Sequence, residues 1–297
     1  MIWVTWRQHR TQALVMLAVF AVVALYALAA GLWMRSSFAS DGLGACLARS
    51  GGADCGATIT AFTRRFTVGA MIPITLLVFL IPGFLGAVTG APVLGTELER
   101  GTWQLAWSQS VPRGRWLAVK LGLIIATLIV FAALLAAIMT WAFGPLNEVS
   151  IRLTPPPFNL EGVWLPCALL CGFGLALLAG LLLRNTIGAM VAGYFATEIP
   201  FLITTLATGP NLFAATKTVA CAGARCQTAS TNTTPPVSGH LGDLVNGVTN
   251  VGGGHLLVSY TPAGAFWPLQ FVTGGIFLAF AVAAVTAAVW LLRRRTT

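Results

Sequence analysis

An all-α, polytopic membrane protein is the fold class this sequence predicts, and three observations predict it. Hydrophobic residues make up 57% of the 297-residue chain and charged residues only 8%, whereas roughly a quarter of the residues in soluble domains are charged. Six apolar stretches, at residues 11–34, 68–88, 121–143, 162–183, 186–206 and 265–292, are each long enough to cross a hydrocarbon layer about 30 Å thick. The remaining cations collect at the ends of these stretches. A formal charge of +9 could suit nucleic acid, but no basic face with interleaved aromatics exists, and the lipid bilayer is the partner that scattered loop cations fit.

The elements follow in order within one permeation-sized domain, residues 1–297. Residues 1–10 place Trp3 and Trp6 beside Arg7, His9 and Arg10, a pattern for a short interfacial helix before the first span. That span, 11–34, is longer than the apolar core of a signal peptide and is expected to stay uncleaved. Residues 35–66 read as a polar loop with Cys46 and Cys55. The second span carries Pro73 and Pro82, so a kink is expected, with freed backbone groups satisfied by neighbouring helices.

Residues 93–116 form a long polar segment. Within it, 94–110 has helical spacing, with Leu94, Leu98 and Leu105 on one face and Glu97, Arg100 and Gln104 on another. Gly101 bends this helix and Pro112 ends it. Arg113, Arg115, Trp116 and Lys120 then mark the interface of the third span, with the cations at headgroup level. Residues 144–161, with Pro155, Pro156 and Pro157, make a short stiff connection to the fourth span. Arg184 and Asn185 form an abrupt turn into the fifth, which contains Glu198 and Pro200. Residues 208–264, rich in Thr, Gly, Asn and Pro, are a large loop with Cys221 and Cys226, and Arg293, Arg294 and Arg295 stop the sixth span.

Orientation follows from Lys and Arg in the short flanks. Arg7, Arg10, Arg100, Arg113, Arg115, Lys120, Arg184 and the terminal triplet share one side, which is therefore cytoplasmic along with both termini. The opposite side holds Cys46, Cys55, Cys221 and Cys226, where disulfides persist. Four cysteines allow three pairings, and the local ones, Cys46 with Cys55 and Cys221 with Cys226, are preferred. Cys167 and Cys171 lie four apart inside the fourth span and read as small apolar residues, with no metal site expected there or at His240 and Asp243.

Some chemistry is missing from the sequence. No G-x-x-x-x-G-K-[ST] loop occurs, so the chain holds no ATP of its own and carries no cofactor. A gradient-driven carrier would show internal repeats and several intramembrane charges, and only Glu198 is such a charge. An intramembrane hydrolase is less consistent still, because His9, His240 and His255 all lie outside the spans. Glu198 sits about 18–20 Å from the turn at Asn185, at about 1.5 Å per residue. A carboxylate at that depth must face protein or a wet cavity, as a structural hydrogen-bond partner or as part of a path.

The wording of particular segments points further. Glu97, Leu98, Glu99, Arg100, Gly101 and Thr102, then Leu105, Ala106, Trp107, Gln109 and the Arg113, Arg115, Trp116 group resemble the loop between the second and third helices of actinobacterial permease subunits of ABC exporters, of the type-two, six-helix class. The resemblance extends to Trp3, Trp6, Arg7, Gln8, His9 and Arg10, and to Tyr260, Pro262, Phe266, Trp267 and Gln270; it departs at Ala265, where such permeases often carry arginine. It implies a dimeric permease, with a second copy or a sister permease, at the cell membrane. It also implies two copies of a separate ABC ATPase, which bind ATP and Mg²⁺ and dock on the coupling loop through Glu97, Leu98, Glu99, Arg100, Gly101, Thr102 and Leu105. The second and fifth helices would line the cavity for an exported amphipathic or lipid-like compound, placing Phe79, Glu198, Phe201 and Thr205 along the path.

Overall fold

The computed structural model describes residues 2–50, 55–69, 71–99, 113–154, 157–207, 217–222, 243–252 and 255–294. Its helices are α1 (Ile2–Ser40), α2 (Leu43–Ser50), α3 (Gly56–Gly69), α4 (Met71–Glu99), α5 (Arg113–Asn147), α6 (Pro157–Leu160), α7 (Trp164–Leu183), α8 (Thr186–Ala207) and α9 (Phe266–Arg294). Among the described residues, five stretches are long and apolar enough to cross a membrane: Ala13–Ser40, Ala118–Asn147, Trp164–Leu183, Thr186–Thr204 and Ala263–Arg294. The 29-residue α4 runs among them.

Several boundaries differ from the sequence-based expectation. No break separates an interfacial helix from the first span, and residues 2–40 form one 39-residue helix. Residues 35–66 are not a polar loop, because α1 continues to Ser40 and α2 and α3 follow. Phe62 and Phe66 are fully buried there, with Phe66 edge-on to Trp33 at 4.8 Å and Phe62 edge-on to Phe38 at 5.8 Å. Burying those rings against α1 gives α3 a reason to fold that its polar composition hid. A disulfide joins Cys46 and Cys55, whose Cα atoms are 6.1 Å apart.

The helix expected to end near Val88 runs on to Glu99, so the segment expected to begin a separate helix at residue 94 starts as the end of α4. Thr89 and Thr96 each return a hydroxyl hydrogen bond to the carbonyl four residues back, Leu85 at 2.7 Å and Pro92 at 2.6 Å. Residues 100–112 lie outside the described residues.

The described residues are mostly helical, as expected for an all-α membrane protein, and the large loop adds a small sheet to them. This sheet is three-stranded and antiparallel, ordered β1-β3-β2, from β1 (Lys217–Ala222), β2 (Leu244–Gly252) and β3 (His255–Thr261). Val219 and Val248 flank Val258, which is fully buried. Asp243 accepts a 2.9 Å hydrogen bond from the Ala263 N–H, tying the start of β2 to the 3₁₀ turn, Ala263–Ala265, that leads into α9.

At the centre, α4 and α7 cross backbone against backbone. A Cβ on Gly86 would lie 2.6 Å from the Gly172 carbonyl carbon, and one on Gly90 would collide with the Phe173 carbonyl. From the other side, a Cβ on Gly172 would meet the Pro82 carbonyl oxygen at 2.8 Å, and one on Gly180 the Ala91 oxygen at 2.8 Å. Gly86 and Gly90, with Ala87, Ala91 and Gly95, repeat at four residues along α4 and meet the same spacing in Gly172, Ala176 and Gly180 of α7. Where lipid removes the hydrophobic drive between helices, such small residues supply van der Waals contact instead. α8 joins this frame through Gly193, whose added Cβ would stand 2.5 Å from the Ala176 Cβ.

Candidate functional site

The α7–α8 turn positions the site. Arg184 ends α7 in the left-handed conformation at φ 53°, its N–H bonded to the Gly180 carbonyl at 3.2 Å. Asn185 at once caps α8, its Oδ1 accepting the Gly188 N–H at 2.8 Å. With no residues left over for a linker, α8 folds back along α4 and α7.

Two carboxylates at the end of α4 engage neighbouring helices. Glu99 Oε2 accepts from the Thr186 N–H at 3.1 Å and its hydroxyl at 2.8 Å, so an anion sits at the N-terminus of α8, where the helix dipole and unbonded N–H groups favour negative charge. Glu97 Oε1 accepts from Lys120 Nζ at 2.7 Å, and the same ammonium donates to the Val93 carbonyl at 3.1 Å. Lys120 is 3% exposed. It was expected at headgroup level, and α5 instead delivers it to the flank of α4; a partner 23 residues away in sequence leaves no short-range signal. Leu98 packs partly buried against the core. Arg100, Gly101, Thr102 and Leu105 lie outside the described residues.

Glu198 and Phe201 are brought together. Both line a small recess, open on one side, shared with Pro82, Gly83, Trp164, Ala168, Thr197 and Phe277. The Trp164 ring is edge-on to Phe201 at 6.4 Å and to Phe277 at 5.1 Å. Thr197 spends its hydroxyl on the Gly193 carbonyl at 2.8 Å. Glu198, half-buried, has no hydrogen-bond or ion-pair partner among the described residues. Thr205 follows Phe201 by one turn of α8, and Phe79 precedes Pro82 by three residues on α4. Trp164, Phe277 and Gly83 were not singled out from sequence, because a recess drawn from four helices leaves no local pattern.

The opposite end is held by a second polar cluster. Glu161, 0% exposed, accepts from Asn147 Nδ2 at 2.8 Å and from Arg152 Nε at 2.5 Å. Arg152 also lies over the Phe266 ring at 3.8 Å, so the cation beside Phe266 comes from the α5–α7 connection and not from position 265. Burial pushes the Glu161 carboxyl above its ordinary range, and the Asn147 hydrogen bond and the Arg152 charge pull it only part of the way back. Gln270, also fully buried, accepts the Trp164 N–H at 2.9 Å and donates to the Phe158 carbonyl at 2.5 Å, clamping α9 to α6 and to the start of α7. Cys221 is on β1 opposite Leu256, while Cys226 and His240 lie outside the described residues. Cys167 and Cys171 are free thiols in α7.

Comparison with known proteins adds one match. Residues 17–207 fit the family model described as ABC-2 membrane transporter related, and neither the curated proteins nor the solved structures produced a match. The matched span runs from within α1 through α8, including the turn at Asn185, the Glu97 and Glu99 contacts and most of the recess. Together with the apolar helices it makes this a multi-pass membrane protein. The chain belongs to the ABC-2 membrane transporter related family.

Proposed function

We propose that this chain is the permease subunit of an ATP-driven exporter that moves an amphipathic or lipid-like compound out of the cell. Six helices cross the cell membrane in this reading, α4 being the second, and both termini are cytoplasmic. A separate ABC ATPase, in two copies, supplies ATP and Mg²⁺ chemistry and docks on residues 93–116. The permease acts as a dimer with a second copy or a sister chain. Membership of the ABC-2 family is the observation that carries the reading.

The contacts at the root of the loop supply a mechanism. Motion imposed on residues 100–112 reaches α8 through Glu99 and Thr186, and α5 through Glu97 and Lys120. Because α8 also bears Glu198 and Phe201, displacement of its cytoplasmic end changes the recess. Phe79 and Thr205 extend the same path along α4 and α8.

Copurification in mild detergent tests this. The wild-type chain should bring down an ABC ATPase, and reversing Glu97 and Glu99 to Lys together should lower both its recovery and its stimulated ATP turnover, since the new cations would face Lys120 and the N-terminus of α8 and release the root of the docking loop. Glu99→Gln, which weakens the grip on α8 without reversing charge, should keep the ATPase bound and lower only substrate-stimulated turnover. If no ATPase copurifies and the double reversal transports normally, the exporter reading fails.

A further inference from the structure

The recess beside Glu198 has a chemistry that the described residues do not complete. Its wall is apolar and aromatic, from Trp164, Phe201, Phe277 and Pro82, and among the described residues no lysine, arginine or histidine lines it. Its one carboxylate is without a partner among the described residues. An uncompensated carboxylate near mid-membrane is costly, so an occupant that brings positive charge is favoured there. The aromatic rings that line it favour the same occupant, since ring quadrupoles attract cations, alkylated ammonium groups among them.

The surface of α8 around Glu198 narrows the choice. Phe195, three residues before it, and Leu202, four after, are 64% and 58% exposed. An apolar chain entering from the membrane side would lie along them while its head reached the carboxylate.

We propose that this recess is a subsite for organic cations, taking the ammonium-type head of an amphipathic molecule against Glu198, Trp164 and Phe201 with its alkyl tail along Phe195 and Leu202. This rests on the export reading and assigns a charge sign to its cargo.

Binding to the full-length protein in lipid nanodiscs, corrected with empty discs, tests it with three probes of equal tail length: dodecyltrimethylammonium, dodecyl sulfate and the uncharged octaethylene glycol dodecyl ether. The cation should bind saturably and about tenfold or more tighter than either of the others. Glu198→Gln should remove that preference while leaving the ether unchanged, and Phe201→Leu should weaken the cation by about threefold. Equal affinities for the three probes on the wild-type protein would overturn the proposal without any variant having to fold. So would an unchanged preference in Glu198→Gln. If the ranking is flat but an ATPase copurifies, the cation subsite falls and the exporter reading stands. If the cation ranks first but no ATPase ever copurifies, the reverse holds.

Discussion

Two helix crossings in this molecule are built differently. Where α4 meets α7, the backbones touch along a run of small residues, from Gly86 and Gly90 against Gly172 and Phe173 to Ala91 against Gly180. Where α1 meets α5, close approach occurs at Gly31, against the Trp141 ring and Ala142. The rest of that contact is carried by side chains such as Phe20 with Phe131 at 5.3 Å, and by Arg35, which donates to the Trp141 carbonyl at 2.7 Å and lies over its ring at 3.9 Å. A backbone seam has no rotamers with which to adjust, whereas a side-chain contact can repack. The recess and Glu99 belong to the α4, α7 and α8 frame, so the site rests on the stiffer of the two crossings.

Matched substitutions would break or sharpen this contrast. Gly90→Ala should cost about 3 kcal/mol, the upper part of the overpacking range, because the new methyl meets the Phe173 carbonyl in a helix pinned on both sides. Gly31→Ala should cost less than half as much, since α1, with its outer face exposed, can shift outward. Reversible unfolding of both variants in mixed micelles measures the pair, and equal losses would erase the distinction.

Next in size comes the clamp at the end of the bundle away from Glu97 and Glu99. Gln270→Ala leaves the buried Trp164 N–H and Phe158 carbonyl without their partner, at about 2 kcal/mol by the desolvation cost of an unpaired group. The same unfolding measurement should show the loss, and accessibility of a cysteine placed at Phe158 should rise with it. A loss no greater than that of an exposed Gln→Ala control would mean that water replaces the side chain.

The smallest effect expected is on pH dependence. The Glu161 carboxyl titrates above its ordinary value in the folded protein because burial outweighs the help from Asn147 and Arg152. The folded state therefore holds a proton that the unfolded chain has already released. Stability from this group is fully present below about pH 4.3, the ordinary glutamate value, and is lost as pH rises through the folded value. Unfolding of wild type against Glu161→Gln across pH 4 to 7.5 should show the wild type losing ground as pH rises. The opposite slope would mean that the Arg152 charge governs the pair.

Much of this was legible in the sequence, and particular residues show why the rest was not. The turn at Arg184 and Asn185 was readable because it is local: two polar residues between two apolar runs, one of them a good cap. The repeat of small residues at four-residue spacing on α4 and α7 was also there to be read, although Pro73 and Pro82 drew attention to kinking instead. Lys120 could not have been placed, because its partners, Glu97 and the Val93 carbonyl, are on another helix. Residues 35–66 misled by composition, their polar surface concealing the Phe62 and Phe66 packing that holds α3 on α1.

What the sequence by itself determined was the class of the molecule: apolar runs long enough to span, cations at their ends and a single acid inside one of them follow from transfer energies that act residue by residue. Only the tertiary structure decided what the polar groups do. Glu97, Glu99, Glu161 and Gln270 each find a partner on another element, while Glu198 is left facing an aromatic recess. Hydrogen bonds and charges act over a few ångströms, and in a bundle of long helices such distances join residues far apart in the chain.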